Sequence, residues 1–87
     1  MRASLSNLRS IDVSNNPSLN DESLQAIVVA SSGTLAELNI SNCGMTDKSL
    51  AGLGNCEHLH YLDAAGIKEL TDASIGVVMR KCKVSWN

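Results

Sequence analysis

Apolar residues recur along this chain in a fixed phase. They hold the first, fourth and sixth places of three segments: Leu8, Ile11 and Val13; Leu35, Leu38 and Ile40; Leu59, Leu62 and Ala64. Polar residues alternate with the later members of each set, as Ser10, Asp12 and Ser14 do around Ile11 and Val13. A two-residue period predicts a short strand with one buried face. Strands are therefore expected within Leu5 to Val13, over Glu37 to Ser41 and over Tyr61 to Ala64. Turn residues follow each of them: Asn15-Asn16-Pro17-Ser18, Asn42-Cys43-Gly44 and Ala65-Gly66. Proline fixes its own φ and asparagine tolerates tight geometry, so these stretches read as chain reversals. The period then changes. Leu24, Ile27 and Val28 form one helical face, predicting a helix from Asn20-Asp21-Glu22 to about Ser31, ended by Ser31-Ser32-Gly33. A short helix is expected over Lys48 to Leu53, stopped by Gly54-Asn55, and a third over Ala73 to about Lys81 with Ile75, Val78 and Met79 as its stripe.

The helix starts resemble one another. Asp21-Glu22-Ser23-Leu24, Asp47-Lys48-Ser49-Leu50 and Asp72-Ala73-Ser74-Ile75 stand 26 and 25 residues apart. A period of that size marks a unit of one strand and one helix, which buries its apolar face only by stacking on its neighbours. Thr46 or Asp47, and Thr71 with Asp72, can accept hydrogen bonds from the free amides of a helix start, so Asp47 and Asp72 are expected to cap their own helices. Three places after the strand segments come Asn16, Cys43 and Ile67, followed by Leu19, Met45 and Leu70. Together these positions resemble the Leu-x-x-Leu-x-Leu-x-x-Asn/Cys-x-Leu pattern of leucine-rich repeats. Thr46-Asp47, Thr71-Asp72 and Cys56, three places before Leu59, are similar to the cysteine-containing subtype found in F-box/leucine-rich-repeat relatives. Asn16 and Ile67 depart from that subtype, each standing where it has cysteine.

The resemblance spans residues 5 to 84 and implies a right-handed α/β solenoid of about three repeats, with parallel strands on a concave face and helices on a convex one. A single domain over residues 1–87 is expected, with repeats at about 8–34, 35–58 and 59–84. Matched phase predicts one buried ladder of Ile11, Leu38 and Leu62 and another of Val13, Ile40 and Ala64. Cys82-Lys83-Val84 reads as the opening of a fourth unit. Solenoids normally finish with polar caps, whereas Leu5 and Leu8 at one end and Val84 and Trp86 at the other are apolar. The chain is accordingly expected either to be part of a longer array or to have its ends covered by a partner.

Composition narrows the function classes. Of 87 residues, 44% are hydrophobic, but Tyr61 and Trp86 alone are aromatic, so the core must be aliphatic. Seven basic and nine acidic residues, net charge -2, are spread along the chain. Without a basic stripe to release counterions, nucleic acid is not an expected partner. The longest purely apolar run, Ala26 to Ala30, falls far short of the roughly 20 residues of a membrane span. The first seven residues carry one charge and lack the apolar core of a secretory signal. Cys43, Cys56 and Cys82 are odd in number and include no Cys-x-x-Cys pair. That usage points to a reducing compartment, cytoplasmic or nuclear.

Candidate chemistry is sparse. Cys56-Glu57-His58-Leu59-His60 offers potential zinc ligands, but its spacing matches no closed tetrahedral site and a fourth ligand is lacking, so no metal is expected. There is no Gly-x-Ser-x-Gly elbow, phosphate loop or dinucleotide fingerprint, and thus neither an enzyme nor a cofactor is expected. Asn39-Ile40-Ser41 is a formal glycosylation sequon that a secreted chain alone would use. Stacking would instead set polar strand positions in columns: Ser10, Glu37, Tyr61; Asp12, Asn39, Asp63; and Ser14, Ser41, Ala65, flanked by Arg9, Ala36 and His60. Arg9, Ser10, Asp12, Glu37, Asn39, His60, Tyr61 and Asp63 are the expected partner-binding residues, on a mildly acidic face with Tyr61 as its anchor. Trp86 is a candidate end contact. The leading expectation is a non-catalytic protein-interaction module. Its alternative is a structural subunit that meets neighbours through its ends in a larger or end-to-end assembly. Resemblance to the F-box relatives further implies substrate reception for a ubiquitin ligase, ranked below both because the 87 residues hold no F-box segment.

Overall fold

The computed structural model of the protein describes residues 9–31, 33–80 and 82–86. Expectations placed on Leu5, Leu8 and Lys81 lie outside them. Strands and helices alternate. β1 (Ser10–Asp12) leads to α1 (Asp21–Ser31), β2 (Glu37–Asn39) to α2 (Asp47–Gly52) with a 3-10 turn at Leu53–Asn55, and β3 (Tyr61–Asp63) to α3 (Asp72–Met79) and β4 (Lys83–Ser85). The four strands form one parallel sheet in chain order. Parallel neighbours need a crossover, and here each crossover carries a helix.

The register is the one the apolar phase demands. Ile11 pairs with Leu38, Leu38 with Leu62, and Leu62 with Val84. Ile40 and Ala64 are buried and Val13 packs against the same core. Cys82-Lys83-Val84 does open a fourth strand. The core lies between sheet and helices: Leu24, Leu50 and Ile75 from the helices meet Leu35, Leu38, Ile40, Leu59 and Leu62 from the strand segments. Among the described residues, the large buried side chains are aliphatic or a thioether, as the composition requires.

Strands are shorter than the alternation suggested. β2 ends at Asn39 rather than Ser41, and β3 at Asp63 rather than Ala64. The cause is local: Ser41 donates its backbone N–H to Asn39 Oδ1 at 3.0 Å and Ala65 does so to Asp63 Oδ1 at 3.2 Å. Such Asx turns draw the backbone away from the ladder. Left-handed residues complete each reversal, with φ of 63° at Asn15, 58° at Asn42 and 75° at Gly66. Asn42 Nδ2 donates to Asn15 Oδ1 at 2.8 Å, while a Cβ at Gly66 would collide with Asn42 Oδ1. Glycine at Gly66 thus serves both the backbone angle and the close approach of its neighbour.

The cysteine position works as a turn donor. Cys43 Sγ lies 3.1 Å from the Val13 carbonyl of the preceding unit. Asn16 Nδ2 donates to that same oxygen at 2.9 Å, from within its own unit. Ile67 carries no donor and is simply buried. Cys56 is wholly buried beneath the turn into β3, as a small apolar side chain would be.

Candidate functional site

The sheet surface opposite the helices carries two rows of side chains. Strand register sets Ser10, Glu37, Tyr61 and Lys83 in one and Asp12, Asn39, Asp63 and Ser85 in the other. These positions alternate with the buried ladder, so the same pleat that forms the core exposes them. Ser10, Asp12, Glu37, Lys83 and Ser85 are exposed, while Asn39, Tyr61 and Asp63 are half-buried. Tyr61 stands between Glu37 and Lys83, its partners on the flanking strands.

The second row also builds the fold. Asp12 Oδ1 accepts from Ser14 N–H at 3.0 Å and from Ser14 Oγ at 2.7 Å. These two bonds, side chain first, hold its carboxyl below the ordinary carboxylate value. Asn39 and Asp63 make the equivalent turn bonds. Sequence reasoning took this column for recognition alone; it ends the strands as well.

Arg9 and His60 stand apart from both rows. With Gly33, Thr34, Ala36 and His58 they line a groove of about 580 Å³ where the strands begin. His60 Nε2 lies 3.7 Å from a Glu37 carboxylate oxygen, and both side chains are exposed. Exposed pairs of this kind contribute little to stability. Ser14, Ser41 and Ala65 lie beyond the strand ends, where Asn15 N–H donates to the Ser41 carbonyl and Asn42 N–H to that of Ala65. Lys83 and Ser85 were not foreseen as members of the face. The signal was present, since Val84 falls in phase with Leu62, but without a leucine-like run around it the fourth strand gave no reason to extend the columns. Lys83 adds a positive charge to the face, where Asp12, Glu37 and Asp63 now stand with Arg9 and Lys83, so the surface is mixed in sign with a small acidic excess.

On the helix side, the expected threonines cap the helices and the aspartates do not. The helix caps are Thr46, whose hydroxyl accepts from Lys48 N–H, and Thr71, whose hydroxyl accepts from Ser74 N–H. Asn20 plays that part for α1, accepting from Ser23 N–H at 3.1 Å. The aspartates hold the next unit instead. Asp21 accepts from Thr46 N–H at 2.8 Å and Thr46 Oγ1 at 2.6 Å, and from Ser49 Oγ. Asp47 accepts from Thr71 N–H at 2.9 Å, from Thr71 Oγ1 at 2.8 Å and from Ser74 Oγ. Each aspartate is the first residue of its helix, so its carboxylate is free to turn toward the neighbouring unit, whose own cap presents the donors.

Both carboxyls titrate below their ordinary value. For Asp21, burial pushes the pKa up, but bonds from Ser49 and Thr46 together with the charge of Lys48 more than offset it. For Asp47 the bond from Ser74 leads, followed by those from Thr71. Trp86 is half-buried and packs on the core at the β4 end. Among the described residues no helix is long and apolar enough to cross a membrane.

A family model described as Leucine Rich repeat matches residues 4–28 and 32–54, more than half of the 87 residues. No curated protein is a significant match to the chain. The matched segments hold the first two strand-and-helix units, and the same register continues through β3 and β4. The chain belongs to the leucine-rich-repeat family.

Proposed function

We propose that the protein is a non-catalytic interaction module that seats another protein on its strand face, through Arg9, Ser10, Asp12, Glu37, Asn39, His60, Tyr61 and Asp63, joined by Lys83. The observation that carries this reading is the pair of registered rows, with Tyr61 paired on its flanking strands with Glu37 and Lys83. Tyrosine presents a large rigid surface at low entropic cost, and such residues dominate interface energetics. Mixed charge favours a protein surface over a polyanion such as nucleic acid. Residues 1–87 act in this reading as one domain. The buried thiols of Cys43 and Cys56 suit a reducing cytoplasmic or nuclear setting. The Cys43 turn bond and the buried Cys56 favour the cysteine-containing subtype, and with it a receptor role of the kind F-box relatives perform.

The test is quantitative binding of a protein captured by the wild-type chain. Tyr61→Ala is expected to cost at least about 2 kcal/mol if the ring is a hot spot, whereas Lys48→Ala on the exposed helix side is near neutral. Equal losses for the two would overturn the strand-face reading. A second reading is contact with neighbours through the ends of the stack. It is favoured by β4, which among the described residues pairs with β3 alone and ends beside half-buried Trp86. Unpaired edges are ready templates for association. On that reading Trp86→Ala, not Tyr61→Ala, weakens assembly most.

A further inference from the structure

The groove where the strands begin is built by matched places of successive units. The Arg9 carbonyl accepts from Ala36 N–H at 2.7 Å, the Ala36 carbonyl from His60 N–H at 2.9 Å, and the His60 carbonyl from Lys83 N–H at 2.8 Å. Arg9, Ala36 and His60 therefore stand side by side, each just ahead of its strand. Adjacent strands lie about 4.8 Å apart, which sets the backbones of Arg9 and His60 roughly 10 Å apart. Between them the only side chain is the methyl group of buried Ala36. The small middle residue opens the space, and the long outer ones border it. Thr34 and His58, two places before Ala36 and His60, extend it to about 580 Å³.

The ionisable lining is of one sign. Arg9, His58 and His60 line the groove and all three are exposed, whereas no carboxylate lines it. Glu37 stands at the edge, with a carboxylate oxygen 3.7 Å from His60 Nε2 and both side chains exposed. That distance is too long for a hydrogen bond, so Glu37 does not lock the imidazole. It marks where an oxyanion is drawn. We infer that the groove seats an acidic segment of the protein partner, whose carboxylates meet Arg9, His58 and His60, and that Glu37 competes with them. This rests on the strand-face reading and names the chemistry of what lies beside the rows of Tyr61. A guanidinium fork matches the geometry of a carboxylate, and a protonated imidazole adds donors. The incoming carboxylate faces Arg9, His58 and His60, with Glu37 as the repelling group; Glu57 precedes His58 in the chain but does not line the groove.

Nuclear magnetic resonance titration of the labelled full chain with a capped triglutamate peptide tests it, with a triglutamine peptide as control at the same ionic strength. Triglutamate is expected to give saturable shifts at Arg9 Nε–H and at the His58 and His60 rings, and triglutamine none. Arg9→Ala and His60→Ala should each weaken binding by about two- to fivefold, as exposed ion pairs do. Glu37→Gln should strengthen it. Gly33→Glu, which sends a carboxylate into open space at the groove wall, should weaken it as well. Binding should tighten between about pH 7.5 and about pH 6, where the peptide stays ionised and imidazoles gain charge. The replaced residues are exposed, and circular dichroism establishes that each variant keeps the fold. Equal responses to the two peptides, or binding that Arg9→Ala and Glu37→Gln leave unchanged, overturns the inference. So does tighter binding at the same residues of a thymidine tetranucleotide of equal charge, which would assign the groove to nucleic acid. If Tyr61→Ala releases a captured protein while triglutamate gives no shifts, the groove is refuted and the strand face stands. If triglutamate binds at Arg9 while Tyr61→Ala is harmless, the strand face alone is refuted.

Discussion

Asp47 illustrates how a residue that looks like a cap can do different work. Thr71 already satisfies its own helix start, and both oxygens of Asp47 are occupied by donors from the third unit. An amide would turn an NH2 group toward one of those donors. Asp47→Asn should thus lower the melting temperature more than Asp72→Asn, whose carboxylate holds no following unit among the described residues; thermal melts by circular dichroism compare them. A capping role would make both changes equally mild. The same bonds set an acid dependence. Asp12, Asp21 and Asp47 all titrate below 3.8 in the folded chain. Because the folded values lie below the unfolded ones, the contribution is complete above that value and is lost as pH falls below it, through the depressed folded values. Denaturant melts at pH 6 and at successively lower pH should show this loss, and the Asp21→Asn, Asp47→Asn double variant should show a shallower one. The Asp-x-Ser motif was plain in the sequence, but its partners were not. Local reasoning assigns a polar residue at a helix start to that helix, whereas here the donors lie 24 to 28 residues downstream.

At the level of elements, the apolar phase placed each strand and set the register, because a slip of one residue would turn the whole buried set to solvent. Leu38 is 1% exposed at the centre of the ladder, between Ile11 and Leu62. Leu38→Ala should cost about 2–5 kcal/mol, and Glu37→Ala, next to it on the exposed face, should stay within about 0.5 kcal/mol. Urea denaturation of the two measures both. A smaller effect at Leu38 than at Glu37 would mean that the register is wrong. Strand length was less legible, since alternation continues through Ser41 while the regular strand ends at Asn39, where an Asx turn begins. An Asx turn depends on which way one side chain points, and periodicity carries no information about that. Lys83 escaped for a related reason: the opening of a fourth unit was visible in Cys82-Lys83-Val84, yet a strand recognised by one apolar residue gave no basis for adding its neighbours to the face.

For the molecule as a whole, each unit is too small to bury its own apolar face, and stability comes from the contacts between units. The Asp21 and Asp47 grips, the Asn15 to Asn42 bond and the Cys43 to Val13 bond all cross from one unit to the next. They fix the strands side by side and thereby hold Ser10, Glu37, Tyr61 and Lys83 in line. The proposed function depends on that line being the surface a partner meets. Chemical-shift mapping of the labelled chain with a bound protein partner tests this most directly. Shifts concentrated at Ser10, Glu37, Asn39, Tyr61, Asp63 and Lys83, with Lys48 and Val29 on the helix side unmoved, are the result expected. Shifts confined to the helices, with Tyr61 and its row unchanged, would contradict it.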